Sequence, residues 1–272
     1  MNPGEFVQTR GAGEPRLGQR TEGSKQIMNS LIRISRVVVL AGTALTLAAL
    51  PIKTLAASDV DSGFELIFDG KTLDGWQGDP KYWRVENGCL VGEVTPETIL
   101  KQNSFIIWRS GRTRDFELKV EYRVSARGNS GINYRSVEVP GQPWALRGYQ
   151  ADIDGEDQWS GQNYEERGRT FLAMRGEMVR LEEGKKPLLT ASLGDKKELQ
   201  AFVKKEDWNE YHLIVRGNVM VHILNSHVMS FVIDDDVKNR RFDGLLGVQV
   251  HVGPPMKIEY RNFRLKRLSE QP

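Results

Sequence analysis

Cysteine is almost absent from this sequence of 272 residues, which contains Cys89 alone. A single cysteine excludes an intramolecular disulfide, so the fold must rest on its apolar core. Cys89 leads into the apolar pair Leu90-Val91, and no histidine or cationic pair nearby would lower the pKa of its thiol. We predict a buried, unreactive thiol rather than a nucleophile.

An excess of charge of either sign is missing as well. The 38 lysine and arginine residues nearly balance the 36 aspartate and glutamate residues, which leaves a net charge of +2 at pH 7. The two signs are interspersed, except for a basic stretch at residues 264–267 that we interpret as a solvated strand end. Neither nucleic acid nor an anionic membrane is therefore predicted as a partner.

The common catalytic motifs are not found. The sequence has no glycine-rich phosphate loop and no G-x-S-x-G, H-E-x-x-H or C-x-x-C motif. Nucleotide chemistry, the usual serine hydrolase mechanism and zinc peptidase chemistry therefore have no local support. Of only four histidines, His251 is the first candidate for a base or ligand, because it shares a strand face with another polar residue.

No hydrophobic run near the N-terminus is long enough for a membrane anchor. The run at residues 37–50 is short of the ~20 residues that span a bilayer as a helix. It follows Arg33 and Arg36 and precedes the small residues Ala56-Ala57-Ser58, which is the order of a secretory signal peptide. We predict a signal peptide at 28–57 and an exported protein, periplasmic or extracellular, with no integral membrane span after cleavage. Residues 1–27 are predicted to be disordered or an over-extended start.

Amphipathic helices are lacking between residues 62 and 268. Short apolar-polar strands alternate there with Gly, Pro, Asn and Asp. The clearest strand is 116–124, and the pair Asn87-Gly88 predicts a tight hairpin. With no internal repeat, we predict one all-β domain at 62–268, a jelly-roll sandwich of two antiparallel sheets with long surface loops at 155–168 and 181–199.

One strand, 148–154, carries a row of polar residues. Its alternation places Gln150, Asp152 and Asp154 on one face and apolar residues on the other. A solvated outer face is one interpretation of this row. A binding surface is the other.

A second strand, 247–252, has a similar design, with Gln249 and His251 on one face. If both strands share a sheet, their polar groups converge on a surface suited to a carbohydrate or a metal. Further polar side chains are predicted on neighbouring strands of the same groove: Glu121, Arg123, Asn129, Asn133 and Arg135.

The predicted loop at 155–168 carries Trp159, Tyr164, Glu165 and Glu166. An exposed Trp or Tyr offers a sugar ring a flat stacking face. The alternative is a loop that Trp159 anchors to the core.

Three consecutive aspartates occur at 234–236. They lack the alternating spacing of a calcium-binding loop, so we predict a solvated turn.

Several blocks, in order along the chain, resemble the 3-keto-disaccharide hydrolase family. They are Phe68-Asp69-Gly70-Lys71-Thr72-Leu73-Asp74-Gly75-Trp76, Asn129-Ser130-Gly131-Ile132 with Tyr134-Arg135, Gly148-Tyr149-Gln150-Ala151-Asp152-Ile153, and Gly247-Val248-Gln249-Val250-His251 with Tyr260-Arg261-Asn262-Phe263. The resemblance covers nearly all of residues 62–268. It implies a concanavalin-like jelly roll, export, and action on glycosides whose sugar has been oxidised to a 3-ketone.

The resemblance also implies a chemistry. A ketone at C3 acidifies the C2 proton, so a base can remove it and the enolate then expels the C1 substituent. His251 or Asp152 would be the base or would bind a divalent metal, and Arg135 would stabilise the oxyanion. Hydroxyl positioning is assigned to Asn129, Gln150 and Gln249. Other candidate substrate contacts are Glu121, Arg123, Trp159, Tyr164 and Glu165.

Two alternatives remain open from the sequence. One is a two-carboxylate glycosidase that uses Asp152 with Glu165 or Glu166. The other is a carbohydrate-binding module without catalysis, because a fold does not dictate a function.

Overall fold

The computed structural model describes residues 62–269. The predicted disordered or over-extended segment 1–27 and the predicted signal peptide 28–57 lie outside the described residues. Seventeen strands, one short α-helix and one 3-10 helix (Pro96–Thr98) follow one another in the described part. In chain order they are β1 (Glu65–Leu66), β2 (Trp76–Gln77), β3 (Trp83–Glu86), β4 (Cys89–Val94), β5 (Ser104–Thr113), β6 (Phe116–Val124), β7 (Asn129–Glu138), β8 (Leu146–Asp154), β9 (Asn163–Glu166), β10 (Thr170–Ala173), β11 (Glu177–Leu181), β12 (Leu188–Ser192), α1 (Lys196–Gln200), β13 (Asn209–Arg216), β14 (Val219–Leu224), β15 (His227–Asp234), β16 (Gly244–Val250) and β17 (Met256–Arg267).

The strands form two sheets. The larger sheet has the order β12-β11-β15-β14-β13-β6-β17-β4-β3, with β1 against β17, and the smaller has the order β10-β9-β8-β7-β16-β5-β2. The paired strands are antiparallel, except for the parallel pair β11 and β15. This arrangement confirms the predicted all-β jelly-roll sandwich.

The core lies between the sheets, where the alternating side chains of both meet. Phe116, the first core residue of β6, is 1% exposed and packs against Tyr134 of β7 at 5.8 Å between ring centroids. Tyr149, Ala151 and Ile153 of β8 are at most 1% exposed on the opposite side of this core. Burying such apolar residues contributes roughly 1.5–3 kcal/mol each, which orients both strands.

The hairpin between β3 and β4 turns where the sequence predicts it. Asn87 and Gly88 both have positive φ, at 51° and 78°, as a two-residue turn of matching twist requires. Cys89 follows at 6% exposure, and burial raises the pKa of its thiol. The predicted buried cysteine is confirmed.

Both predicted surface loops contain regular structure. Residues 181–199 include β12 and most of α1, whose N-terminus is capped by Asp195 through Lys197 N (2.8 Å) and Glu198 N (3.1 Å). Residues 155–168 include β9, whose pairing with β8 sets Tyr164 opposite Gln150. These elements have only four or five residues each, which is too short for periodicity in the sequence to identify them.

The aspartates at 234–236 correct another prediction. Asp234 is fully buried and Asp236 is 4% exposed, so two of the three do not form a solvated turn. Asp234 Oδ2 accepts a hydrogen bond from the Tyr149 hydroxyl at 2.6 Å and forms an ion pair with Arg169 at 2.7 Å.

The helix in residues 62–269 is too short and too polar to cross a membrane.

Candidate active site

A polar surface covers the face of the smaller sheet that points away from the core. Register places Gln150 of β8 between Tyr164 of β9 and Asn133 of β7, and Asn133 is opposite Gly247 of β16. The strands therefore bring the two predicted polar rows onto one sheet. Asp152, two residues along β8, lies on the same face as Gln150 because the neighbouring residues point into the core.

A cleft of about 510 Å³ opens over this surface. Its volume suits a small ligand. Six predicted site residues line it: Asn129, Gln150, Asp152, Trp159, Tyr164 and His251. The remaining lining residues are Asn103, Gln162, Glu166, Arg167 and Phe171. Of these five, only Glu166 is named by the sequence-based predictions, as a possible partner of Asp152 in a two-carboxylate glycosidase.

Asp152 is the most strongly perturbed carboxyl of the cleft. It is 7% exposed, and burial raises its pKa to about 7. Gln150 Nε2 donates to Oδ1 at 2.6 Å and Gln162 Nε2 donates to Oδ2 at 2.5 Å, which stabilises the ionised form in part. The Tyr211 hydroxyl of the larger sheet donates to the Asp152 carbonyl oxygen at 2.7 Å, so the strand is held from both sheets.

Gln150 is held in turn by residues behind it. Gln249 Nε2 donates to Gln150 Oε1 at 3.2 Å, and Gln249 is fully buried beneath the cleft. A Cβ at Gly131 would lie 2.5 Å from Gln150 Cδ, so only glycine leaves room for this side chain. Gln249, predicted as a substrate contact, is therefore buried beneath the cleft and orients the Gln150 side chain.

Glu166 is a second carboxyl of the cleft, at 7% exposure. Burial raises its pKa, while a hydrogen bond from Asn103 Nδ2 (3.2 Å) and the charges of Arg167 and His251 act in the opposite direction. A carboxyl whose pKa is raised can carry a proton and donate it. The cleft thus contains two carboxyl groups with different surroundings.

His251 directly follows β16, at the edge of the cleft. Its Nδ1 donates to the Val252 carbonyl oxygen at 2.5 Å, because a carbonyl only accepts. In the neutral ring this leaves Nε2 as the acceptor, so His251 retains the capacity to take a proton.

Aromatic side chains form one wall of the cleft. Trp159 and Phe171 are 5.5 Å apart between ring centroids, and Tyr164 meets Phe171 edge-to-face at 5.2 Å. Phe171 is 44% exposed. Trp159 is half-buried, and its position in the cleft lining favours the stacking interpretation over the anchoring one.

Arg135 does not lie in this cleft. Its φ of +45° accompanies a register shift in β7, and the side chain is 1% exposed. The guanidinium donates to the carbonyl oxygens of Arg114 and Gly217 at 2.8 and 2.6 Å, and to Asp115 Oδ1 at 3.0 Å. The predicted oxyanion role is replaced by a structural one, because the backbone bulge turns this residue away from the face that simple alternation assigns to it.

Glu121 and Arg123 lie on β6 of the larger sheet. Glu121 accepts from Arg261 Nε at 2.7 Å, and Arg123 Nε donates to Glu259 at 2.8 Å. Both predicted contacts belong to ion pairs on the other sheet, because alternation along β6 does not reveal which sheet the strand joins.

Glu165 is also displaced from the predicted groove. It is 3% exposed, adjacent to Glu166 but on the opposite face of β9, and accepts from Arg169 Nε at 2.6 Å. It is thus the structural partner of an arginine, and Glu166 is the carboxylate of the cleft.

The predicted metal ligands Asp152 and His251 both line the cleft. Among residues 62–269, no three His, Cys, Asp or Glu side chains converge as a zinc site would require. Both carboxylate oxygens of Asp152 already accept from glutamine amides.

Comparisons with known proteins place these features in a wider group. Residues 63–266 match the family model of the 3-keto-alpha-glucoside-1,2-lyase-like domain. A 3-keto-disaccharide hydrolase of Bacteroides thetaiotaomicron is 34% identical over 120 residues, which are 39% of this chain and 38% of that protein. The chain thus matches less than half the length of this relative.

Two crystal structures of proteins from Parabacteroides distasonis, assigned as glycosyl hydrolases, are similar in fold. One has a TM-score of 0.51 at 17% sequence identity, and the match covers 75% of this chain and 99% of the other protein's chain. The other has a TM-score of 0.50 at 20% sequence identity, and the match covers 76% of this chain and 95% of the other protein's chain. At these identities the likeness concerns the fold.

Proposed function

The chain belongs to the 3-keto-alpha-glucoside-1,2-lyase-like family, and we propose that it cleaves glycosides whose sugar carries a ketone at C3. The observation that carries this proposal is the buried Asp152, whose pKa is raised to about 7 inside a cleft lined by aromatic and amide side chains. A general base works best when its pKa is close to the operating pH. The name of the Bacteroides relative agrees with this substrate class.

The proposed reaction begins with the C2 proton. Asp152 takes this proton, and the electron pair of the C2–H bond forms an enolate whose negative charge rests on the C3 oxygen. Arg167 and the amide of Asn129 are the lining groups able to stabilise that charge. The enolate then expels the C1 substituent, whose oxygen takes a proton from Glu166. Water then adds at C1 of the resulting enone: its proton passes to Glu166 and the proton held by Asp152 returns to C2, so both carboxyl groups are restored and the net reaction is hydrolysis.

The rival assignment for the base is His251, through Nε2. Asp152 is preferred because two amides orient its carboxylate, whereas His251 is held at the cleft edge by a single bond to Val252. A two-carboxylate glycosidase using Asp152 and Glu166 would need no ketone in its substrate. The substrate requirement therefore separates the two mechanisms.

The test compares a 3-keto-disaccharide with the same disaccharide left unoxidised, in the presence and absence of a chelator. We expect release of sugar from the ketone alone, unchanged by the chelator and slowed by deuterium at C2. Equal cleavage of the unoxidised sugar would overturn the proposal in favour of the two-carboxylate mechanism. Binding of both sugars without turnover would favour a carbohydrate-binding module.

The activity is expected to increase with pH through about 7. Asp152 must be ionised to accept the C2 proton, and its pKa is about 7, so kcat/KM should follow its deprotonation. The measurement is kcat/KM from about pH 5 to 9 for the wild type and for His251→Ala. If Asp152 is the base, the increase of kcat/KM with pH is retained in His251→Ala. Loss of that increase in His251→Ala would assign the base to His251.

Export is part of the proposal, on the strength of the pattern at residues 28–57. Sequencing the N-terminus of the exported protein should find a start near residues 56–58. An uncleaved exported product would contradict it.

A further inference from the structure

A second cavity, of about 370 Å³, borders the hairpin that joins β9 and β10. Six of its nine lining residues are cationic: Arg147, Arg167, Arg169, Lys238, Arg240 and Arg241. Glu165 is its only acidic lining residue. We call this cavity the basic pocket. A concave surface lined by one sign of charge concentrates ions of the opposite sign.

Among residues 62–269, internal ion pairs involve two of the six cations: Arg167 lies 3.7 Å from Glu166, and Arg169 is paired with three carboxylates, Glu165, Asp234 and Asp236. Arg169 is paired with Glu165 at 2.6 Å and with Asp234 at 2.7 Å, so these groups compensate one another. Within the described residues, the side chains of Arg147 and Lys238 form no ion pair or hydrogen bond. Cationic charge in the basic pocket therefore exceeds what the protein itself balances.

Arg241 supplies an independent observation. Its Nε is buried and has no acceptor in the described part of the chain, although Arg241 lines the basic pocket. Buried polar groups nearly always have a hydrogen-bond partner, so this donor calls for one. The planar guanidinium fork matches carboxylate, sulfate and phosphate oxygens, so the arginines that line the basic pocket favour an anionic oxygen group as ligand.

The position of the basic pocket links it to the cleft. Arg167 lines both cavities, and it follows Glu166 directly in the turn after β9, at a φ of +55°. We infer that the basic pocket binds an anionic group, a carboxylate, sulfate or phosphate, carried by the saccharide whose neighbouring sugar occupies the cleft. The identification of the ligand as a saccharide rests on the proposed function. The identification of its anionic group rests on the arginines alone.

The binding test uses calorimetry with glucuronate, glucose 6-phosphate, glucose and inorganic sulfate as probes. The proteins are the wild type, the double variant Arg240→Gln/Arg241→Gln, and the matched control Lys186→Gln in an exposed loop. We expect the acidic sugars to bind the wild type and the control at least 10-fold more tightly than glucose does. The double variant should lose that advantage. Equal affinity of all three proteins for the acidic sugars would overturn the inference.

The turnover test compares a 3-keto-disaccharide bearing a carboxylate on its leaving sugar with the neutral compound. The ratio of the two kcat/KM values should exceed about 10 in the wild type and fall towards 1 in the double variant. A ratio near 1 in the wild type would overturn the inference while leaving the proposed function standing.

The two proposals can also fail separately in the other direction. If neither compound is turned over, but acidic sugars bind the wild type and not the double variant, the proposed function is wrong and the anion site is retained. Binding of inorganic sulfate with no gain for acidic sugars would identify a free-anion site and overturn the saccharide assignment.

Discussion

Replacing Asp152 with asparagine is expected to lower kcat/KM for a 3-keto-glycoside by about 10²–10⁴-fold, the usual contribution of a positioned general base. The amide cannot accept the C2 proton, although it occupies the same volume between Gln150 and Gln162. Measuring kcat/KM at about pH 8, where wild-type Asp152 is ionised, gives the largest difference.

The asparagine variant should remain folded. Gln162 Oε1 is buried without a partner among the described residues, so a reversed Gln162 amide can accept from the new side chain. The folded-state pKa of Asp152, about 7, is above the ordinary aspartate value of 3.8. Its contribution to stability is therefore complete below pH ~4 and is lost as the pH rises through about 7. At pH 8 the variant should melt at or above the wild-type temperature.

A matched control for this experiment is Asp195→Asn at the N-cap of α1, where asparagine caps as well as aspartate. It should leave kcat/KM unchanged. Wild-type activity in Asp152→Asn would disprove the assignment of the base.

Replacing Arg169 with methionine is expected to lower the free energy of unfolding by about 3–5 kcal/mol, the loss typical of a buried ion pair deprived of one partner. Arg169 donates to Glu165 and to both oxygens of Asp234, which is fully buried and also holds the Tyr149 hydroxyl. Without the guanidinium, these carboxylates keep the cost of burial and lose the compensating charge. Urea denaturation at neutral pH measures the difference.

The comparison variant is Arg109→Met, which breaks an exposed pair with Glu138. That pair has side-chain exposures of 31% and 52%, so its loss should cost only about 0–1 kcal/mol. Similar losses in the two variants would contradict the role given to burial.

The residues of β8 and β16 show how much of the candidate site could be predicted from the sequence. Gln150 and Asp152 were predictable because the apolar residues between them must enter the core, which leaves the polar row on the other face. Gln249 was assigned to the correct face, but its complete burial beneath Gln150 depends on packing that periodicity does not describe.

Two other predictions failed, and one part of the site had little signal in the sequence, for separate physical reasons. Arg135 lies at a bulge with positive φ, which interrupts the alternation that placed it in the groove. Glu121 and Arg123 alternate as predicted, but their strand pairs with β13 and β17 in the other sheet. Glu166 and Arg167 had no strong signal, because β9 has only four residues and forms by pairing with β8.

The sequence by itself determined the all-β class, the core faces of the long strands, the buried cysteine and the polar row at Gln150 and Asp152. Each of these depends on local periodicity and on the tendency of apolar side chains to leave water. Only the tertiary structure decided which polar residues meet in the cleft, which arginine is buried in a structural role, and where cationic side chains cluster. Those outcomes depend on strand order, register and bulges, which join residues far apart in the chain and leave no local pattern in the sequence.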